Sequence, residues 1–259
     1  MNRTMIAFAF VASVAAGTAE AQTVVALLDG GTMLASVDGK ALKAGKPVTV
    51  SGVAGRLVGI DVRPADGMLY GLFEDGTLAT LDPATGAATV KAKLDTMLPR
   101  GVTATVDFNP VADRLRVIGS DGTNLRVNVD DGKVVKDGAL RYADGDMHKG
   151  ATPNVVAGAY TNSVKGAKET ALFDVDGALA ALVKQAPPND GILNAVGAFG
   201  IKAPTYAFDI ATTDAGNEGW LMAGDTLYRV ELATGKAKAA GKVSALETPV
   251  RDIAILPAM

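Results

Sequence analysis

Apolar residues in this chain come in short alternating runs, each stopped by a turn signal. The clearest stretch is residues 59–94, GIDVRPADGMLYGLFEDGTLATLDPATGAATVKAKL. Arg-Pro-Ala-Asp-Gly, Glu-Asp-Gly and Asp-Pro-Ala-Thr-Gly divide it into four strand-like runs. Residues 105–135, TVDFNPVADRLRVIGSDGTNLRVNVDDGKVV, repeat the order of strand, turn, strand, turn, strand, turn and strand. One such unit is a four-stranded antiparallel sheet. A period near 40 to 50 residues marks a propeller or a solenoid.

The copies count to five. First-strand positions align as Asp61, Asp107, Tyr160, Asp209 and Asp252, and third-strand ends as Val37-Asp38, Leu81-Asp82, Val127-Asn128, Val175-Asp176 and Val230-Glu231. The last first strand, in residues 250–256, has nothing after it, whereas residues 23–53 have later strands and no first one. Pairing the two ends closes a ring and removes two open sheet edges. The pattern therefore predicts an all-β, five-bladed β-propeller of four-stranded antiparallel blades, closed by its N- and C-terminal segments. A β-sandwich is the competing fold, since it too is built of short strands and regular turns. Only residues 177–185, GALAALVKQ, read as helical, because Ala and Leu favour helix.

The first 21 residues follow another rule. Arg3, an apolar run over residues 5–16 and the small-residue end Ala19-Glu20-Ala21 form a Sec-type signal peptide, with cleavage expected after Ala21. That leaves residues 22–259 as one domain, at about 48 residues per blade. The expected location is periplasmic or secreted, and no later apolar stretch is long enough for a membrane helix. With no Cys among 259 residues, disulfides and thiolate chemistry are excluded. A formal charge of −3 without a Lys/Arg block favours neither nucleic acid nor an anionic membrane as partner.

Candidate chemistry follows from the repeat. Inner strands of a propeller face one another across its axis, so Asp61, Asp107, Asp209 and Asp252 converge, with Tyr160 in the fifth place. Such a ring calls for raised pKa values or a bound cation, and oxygen ligands favour Ca²⁺. The alternative is that each Asp bonds backbone N–H groups near its turn. Arg114, Arg116 and Arg126 offer a guanidinium patch for a carboxylate or phosphate ligand, or else pair with Asp107, Asp113, Asp121 or Asp130. Tyr160 and Asn162 complete the candidate ligand-binding set. Asp144, Asp146 and His148 form a weak metal pattern in what reads as a solvated loop. His148 is the only histidine, which rules out His-rich metal sites, and no nucleophile elbow or phosphate loop is present.

The segments VDFNPVADRLRVIGSDGTNLRVNVDDG, GATPNVVAGAYTNS and PPNDGILNAVG resemble those of an uncharacterised, domain-of-unknown-function family of exported bacterial proteins. The resemblance spans nearly all of the mature chain. It implies a propeller-like fold and export, and no catalytic residues. The expected function is that of a monomeric binding or scaffold protein for a protein, glycan or small anionic ligand, with Ca²⁺ as the candidate cofactor. The second hypothesis is a carbohydrate-active enzyme using paired carboxylates at the channel mouth.

Overall fold

A computed structural model describes residues 22–28, 30–246 and 248–257; the signal-peptide segment lies outside the described residues. Five antiparallel sheets form five blades around one axis, a five-bladed β-propeller and not a sandwich. From the axis outward, blade 2 is built of Leu57–Val62, Leu69–Phe73, Thr77–Leu81 and Ala88–Lys93. Blade 3 is built of Ala104–Asn109, Arg114–Gly119, Asn124–Val127 and Val134–Lys136. Blade 5 runs through Tyr206–Thr213, Gly216–Ala223, Thr226–Val230 and Ala237–Lys242. Blade 1 takes its inner strand, Val250–Ile255, from the C-terminal end and continues with Thr23–Leu28 and Met33–Asp38. That is the closure the sequence predicts, with Val25 opposite Ala254 and Leu27 opposite Asp252.

Blade 4 departs from the expected alignment. Its strands are Val155–Tyr160, Leu172–Asp176, Ala181–Gln185 and Ile192–Ala198, with the short Arg141–Tyr142 added parallel at the outer edge. Val175-Asp176 therefore ends the second strand, and the third lies in the segment that reads as helical. Local preference for helix is a weak influence here. Ala181, Leu182, Val183 and Gln185 are all buried between blades, and only Lys184 points to water. Packing on both faces overrides propensity.

Each blade carries apolar side chains on two faces, and each seam between blades holds one cluster of buried residues. Tyr70, Leu72, Phe108, Leu115 and Val117 fill the seam between blades 2 and 3. Ala159, Val175, Phe208 and Leu221 fill that between blades 4 and 5. A fully buried Phe such as Phe108 contributes about 1.5–3 kcal/mol from its own burial. Neighbouring blades also meet through their outer turns. Gly86 and Gly132 have φ of +77° and +73°, and a Cβ at either would lie within about 2.2 Å of a backbone carbonyl of the preceding blade. Their own carbonyls accept the N–H groups of Ser51 and Asp95 in that same blade.

Inner strands pose a separate problem. One edge of each is paired with the second strand, and the other faces the channel, where its N–H groups need partners. The repeated Asp supplies them.

Candidate functional site

Asp61, Asp107, Asp209 and Asp252 sit on inner strands of four blades and are buried. Each reaches across a seam. Asp252 Oδ2 accepts the N–H of Ile60 at 2.9 Å, Asp61 Oδ2 that of Phe108 at 2.7 Å, and Asp107 Oδ1 that of Tyr160 at 2.9 Å. Asp209 Oδ2 accepts from Ile255 at 2.6 Å. Three of the four also accept the N–H of the next residue in their own strand, Val62, Ile210 or Ile253, through Oδ1. Asp107 does not, and no described residue donates to its Oδ2.

Blade 4 breaks the series. Tyr160 donates its N–H to Asp107, as Phe108 does to Asp61, so Tyr160 corresponds to Phe108 and the position matching Asp107 is Ala159. Ala159 packs into the apolar seam with blade 5. Tyr160 points the other way, and its hydroxyl accepts from Arg116 Nε at 3.2 Å. The fifth place in the ring therefore carries no polar side chain.

Carboxylate oxygens of Asp61, Asp107 and Asp209 all lie within 4.8 Å of one another. Burial drives their acidities. It raises Asp61 well above the usual carboxylate range, reinforced by the charge of Asp209. Asp107 rises in the same way, with Asp61 and Asp209 as the next causes. Burial pushes Asp209 up to about 6 and Asp252 up to about 8, although each accepts two backbone N–H bonds. Three carboxylates packed this closely in a medium of low polarity, with Asp252 on the neighbouring inner strand outside the cluster, are resolved by protons or by a cation. The donor set is all oxygen, which fits a hard ion such as Ca²⁺ and not zinc.

Asp61 and Asp209 also form the floor of a cavity of about 540 Å³ at one mouth of the channel. The turns after the inner strands of blades 2 and 4, the inner strand of blade 5, Gln22 and residues 255–257 wall it. Val62, Pro64, Ile210, Ile255, Leu256 and Pro257 share those walls with the polar Gln22, Asp66, Ser163, Lys165 and Thr212, and no aromatic side chain is among the described lining residues. Blade 3 contributes no lining residue; its turn is tied to blade 2, where buried Arg63 clamps Asp113 through Nε at 2.8 Å and Nη2 at 2.6 Å. A smaller cavity at the other end of the ring is lined by Thr103, Asn154, Thr205 and Arg251 among others.

The three arginines do not gather into one patch. Arg114 turns its Nη1 to the carbonyls of Ala112 and Asp113. Arg116 is buried, with Nη1 on Asp137 Oδ2 at 2.6 Å and on Asn124 at 2.8 Å, and Nη2 on Asn189 at 2.8 Å. Arg126 makes a bidentate pair with the same Asp137 at 2.7 and 2.9 Å. None of the four aspartates nearest in sequence is the partner; Asp137, beyond the outer strand of the blade, is. Asn162, at φ +58°, exchanges amide bonds with Asn217 at 2.7 and 2.8 Å and sits beside Ser163–Lys165 at the rim of the cavity.

Among the described residues, only the channel triad brings three ligand atoms of this kind together. Asp144 is exposed, Asp146 accepts the N–H groups of His148 and Ala195, and the half-buried His148 ring lies 5.3 Å from that of Tyr142. Sequence reasoning missed Asp174. Both of its oxygens and Gln185 Oε1 are buried in the seam between blades 3 and 4 without a hydrogen-bond partner. Burial pushes the Asp174 carboxyl up to about 8, with the Arg116 guanidinium pulling it down.

Fold and channel together define a closed, five-bladed propeller with a buried acidic axis and a cavity at one mouth. The chain belongs to a family described as a domain of unknown function, DUF4394, whose model matches residues 33–254. No curated protein matches it. Among solved structures, it is similar to a protein of unknown function from Bacteroides thetaiotaomicron VPI-5482, with a TM-score of 0.57 and 17% identity over 91% of this chain and 64% of the other. A second protein of unknown function, from Bacteroides caccae, matches with a TM-score of 0.48 and 14% identity over 86% of this chain and 73% of the other. An auxiliary nutrient binding protein from Bacteroides ovatus gives 0.46 and 14% over 83% of this chain and 57% of the other. These likenesses concern the fold.

Proposed function

We propose that this protein is an exported binding propeller whose ligand site is the acidic mouth of the channel, with a divalent cation, Ca²⁺ before others, held by Asp61, Asp107 and Asp209. The observation that carries the reading is three buried carboxylates from three blades, with oxygens within 4.8 Å, under a cavity of about 540 Å³. Asp107 is the key member, since no described residue donates to its Oδ2, which is left to receive positive charge. Export rests on the Arg3 start, the apolar run and the Ala19-Glu20-Ala21 end. Fold alone assigns no ligand; the carboxylates and the cavity are what support this reading.

Calorimetric titration of Ca²⁺ into chelator-treated protein tests the cation. One site per chain is expected, with Mg²⁺ weaker because the carboxylates, fixed by backbone N–H groups, do not suit its strict octahedron. Asp107→Asn keeps an acceptor for the Tyr160 N–H and removes the charge, so it should fold and lose the Ca²⁺ signal. Ca²⁺ binding that survives Asp107→Asn would place the ion elsewhere, and no binding in the wild type would leave the carboxylates to protons.

Glycoside hydrolysis gains no support from the geometry. The channel carboxylates are tied to backbone N–H groups, and the cavity lacks the aromatic platform on which sugars stack.

A further inference from the structure

We infer that the mouth cavity is built for an organic ammonium ion carried on an apolar body, a small alkylamine being its simplest form. This rests on the reading that the channel carboxylates accept positive charge, and it adds the class of ligand. The cavity, at about 540 Å³, is far larger than a metal ion needs. It falls in the size range of small-molecule sites. Val62, Pro64, Ile255, Leu256 and Pro257 give its wall an apolar part, Gln22, Asp66, Ser163 and Thr212 a polar one, and the Asp61 and Asp209 carboxylates lie on its floor.

Charge complementarity selects the occupant. A carboxylate or phosphate ligand would meet Asp61 and Asp209 below and Asp66 at the side. An uncharged hydrophobic molecule would cover two acidic groups and give them no partner, which costs what burying unpaired polar atoms costs. An ammonium group donates up to three N–H bonds, and each Asp oxygen, already accepting one backbone N–H, keeps a second lone pair. Asp107 Oδ2, in the same cluster, accepts none from a described residue. The alkyl part then lies against the aliphatic walls. At the rim of the cavity Val164 is a lining residue and is 46% exposed. Lys165, on the same lining, is exposed, and in the chain cleaved after Ala21 the Gln22 α-ammonium borders the cavity as well.

Thermal unfolding of the mature protein in chelator, with hexylamine, hexanol or hexanoate added, tests the inference. Hexylamine should raise the midpoint by several degrees at saturation, and the alcohol and the acid should not. Ala65→Trp, at a half-buried wall position in a turn, fills the cavity without touching the floor and should abolish the hexylamine shift. Val164→Trp, at an exposed position, serves the same purpose should the first variant fold poorly. Equal shifts from all three compounds, no shift from hexylamine, or a shift that survives both Trp variants would overturn it. Ca²⁺ titration of the same samples separates the two readings. Ca²⁺ binding without an amine effect sinks the ammonium ligand and leaves the cation site standing, whereas loss of both signals removes both.

Discussion

Four seams of this ring are stapled at the axis by a carboxylate, and the seam between blades 4 and 5 is not. At the stapled seams, Asp252, Asp61, Asp107 and Asp209 each take an edge N–H of the following blade. At the exception, Ala159 stands in the Asp position, and the seam relies on apolar packing around Phe208 and Leu221. At the mouth it adds the exposed Asn162–Asn217 bonds and the half-buried Ser163–Thr212 bond. Ile210, in blade 5, satisfies its N–H with its own neighbour, Asp209. The contrast teaches that the aspartates are structural before they are anything else. They answer the open-edge problem of an inner strand, and their convergence in one small volume follows from that. Affinity for a cation is then a consequence of how the edge is capped, concentrated where a cavity opens.

The largest effect should come from removing the closure. Deleting residues 250–259 takes the inner strand from blade 1, the Asp252 staple and the Ile255 partner of Asp209 together. Urea unfolding should show no cooperative transition; a transition of wild-type sharpness would contradict ring closure. Next in size is Asp61→Ala, which leaves the Val62 and Phe108 N–H groups without partners at about 1–3 kcal/mol each. Ala159→Gly, at the unstapled seam, frees no donor and should cost about 1 kcal/mol. Equal losses in the two variants would erase the distinction between the seams.

Smaller and dependent on pH is Asp174→Asn. The Asp174 carboxyl is raised when folded, so its contribution is fully present in acid, below the ordinary value near 3.8, and is lost as pH rises through about 8. Wild-type stability should therefore decline by up to a few kcal/mol from pH 4 to pH 9, and the variant should flatten part of that slope. An unchanged slope would show that Asp174 does not titrate there. Smallest is Asn217→Ala, which removes exposed amide bonds across the unstapled mouth and should cost under about 1 kcal/mol in the same assay.

The fold was legible because its signals are local and repeated. Turn glycines, alternation and an Asp at one point of each inner strand survive in four copies, and their order alone implies closure from the two chain ends. Blade 4 was harder for physical reasons. The Asp place of its inner strand holds Ala159, which carries no polar mark in the sequence, so Tyr160, one residue on, aligns there yet faces the other way. Its third strand is written in Ala and Leu, which suit a helix until two neighbouring blades bury both faces. Asp174 alternates with Phe173 and Val175 as a solvent-facing residue does, and only the polar face of blade 3 makes that side an interior. The Arg116–Asp137 pair joins positions 21 residues apart, a distance that strand alternation does not encode.

The central claim, that channel carboxylates cap the inner edges across the seams, is tested most directly by amide hydrogen exchange of Phe108 and Tyr160 in the wild type and in Asp107→Ala. In the wild type both amides should exchange as slowly as the strand core. In the variant Tyr160 should exchange much faster than Phe108, whose acceptor Asp61 remains. Tyr160 exchanging at loop rates in the wild type, or keeping pace with Phe108 in the variant, would contradict it.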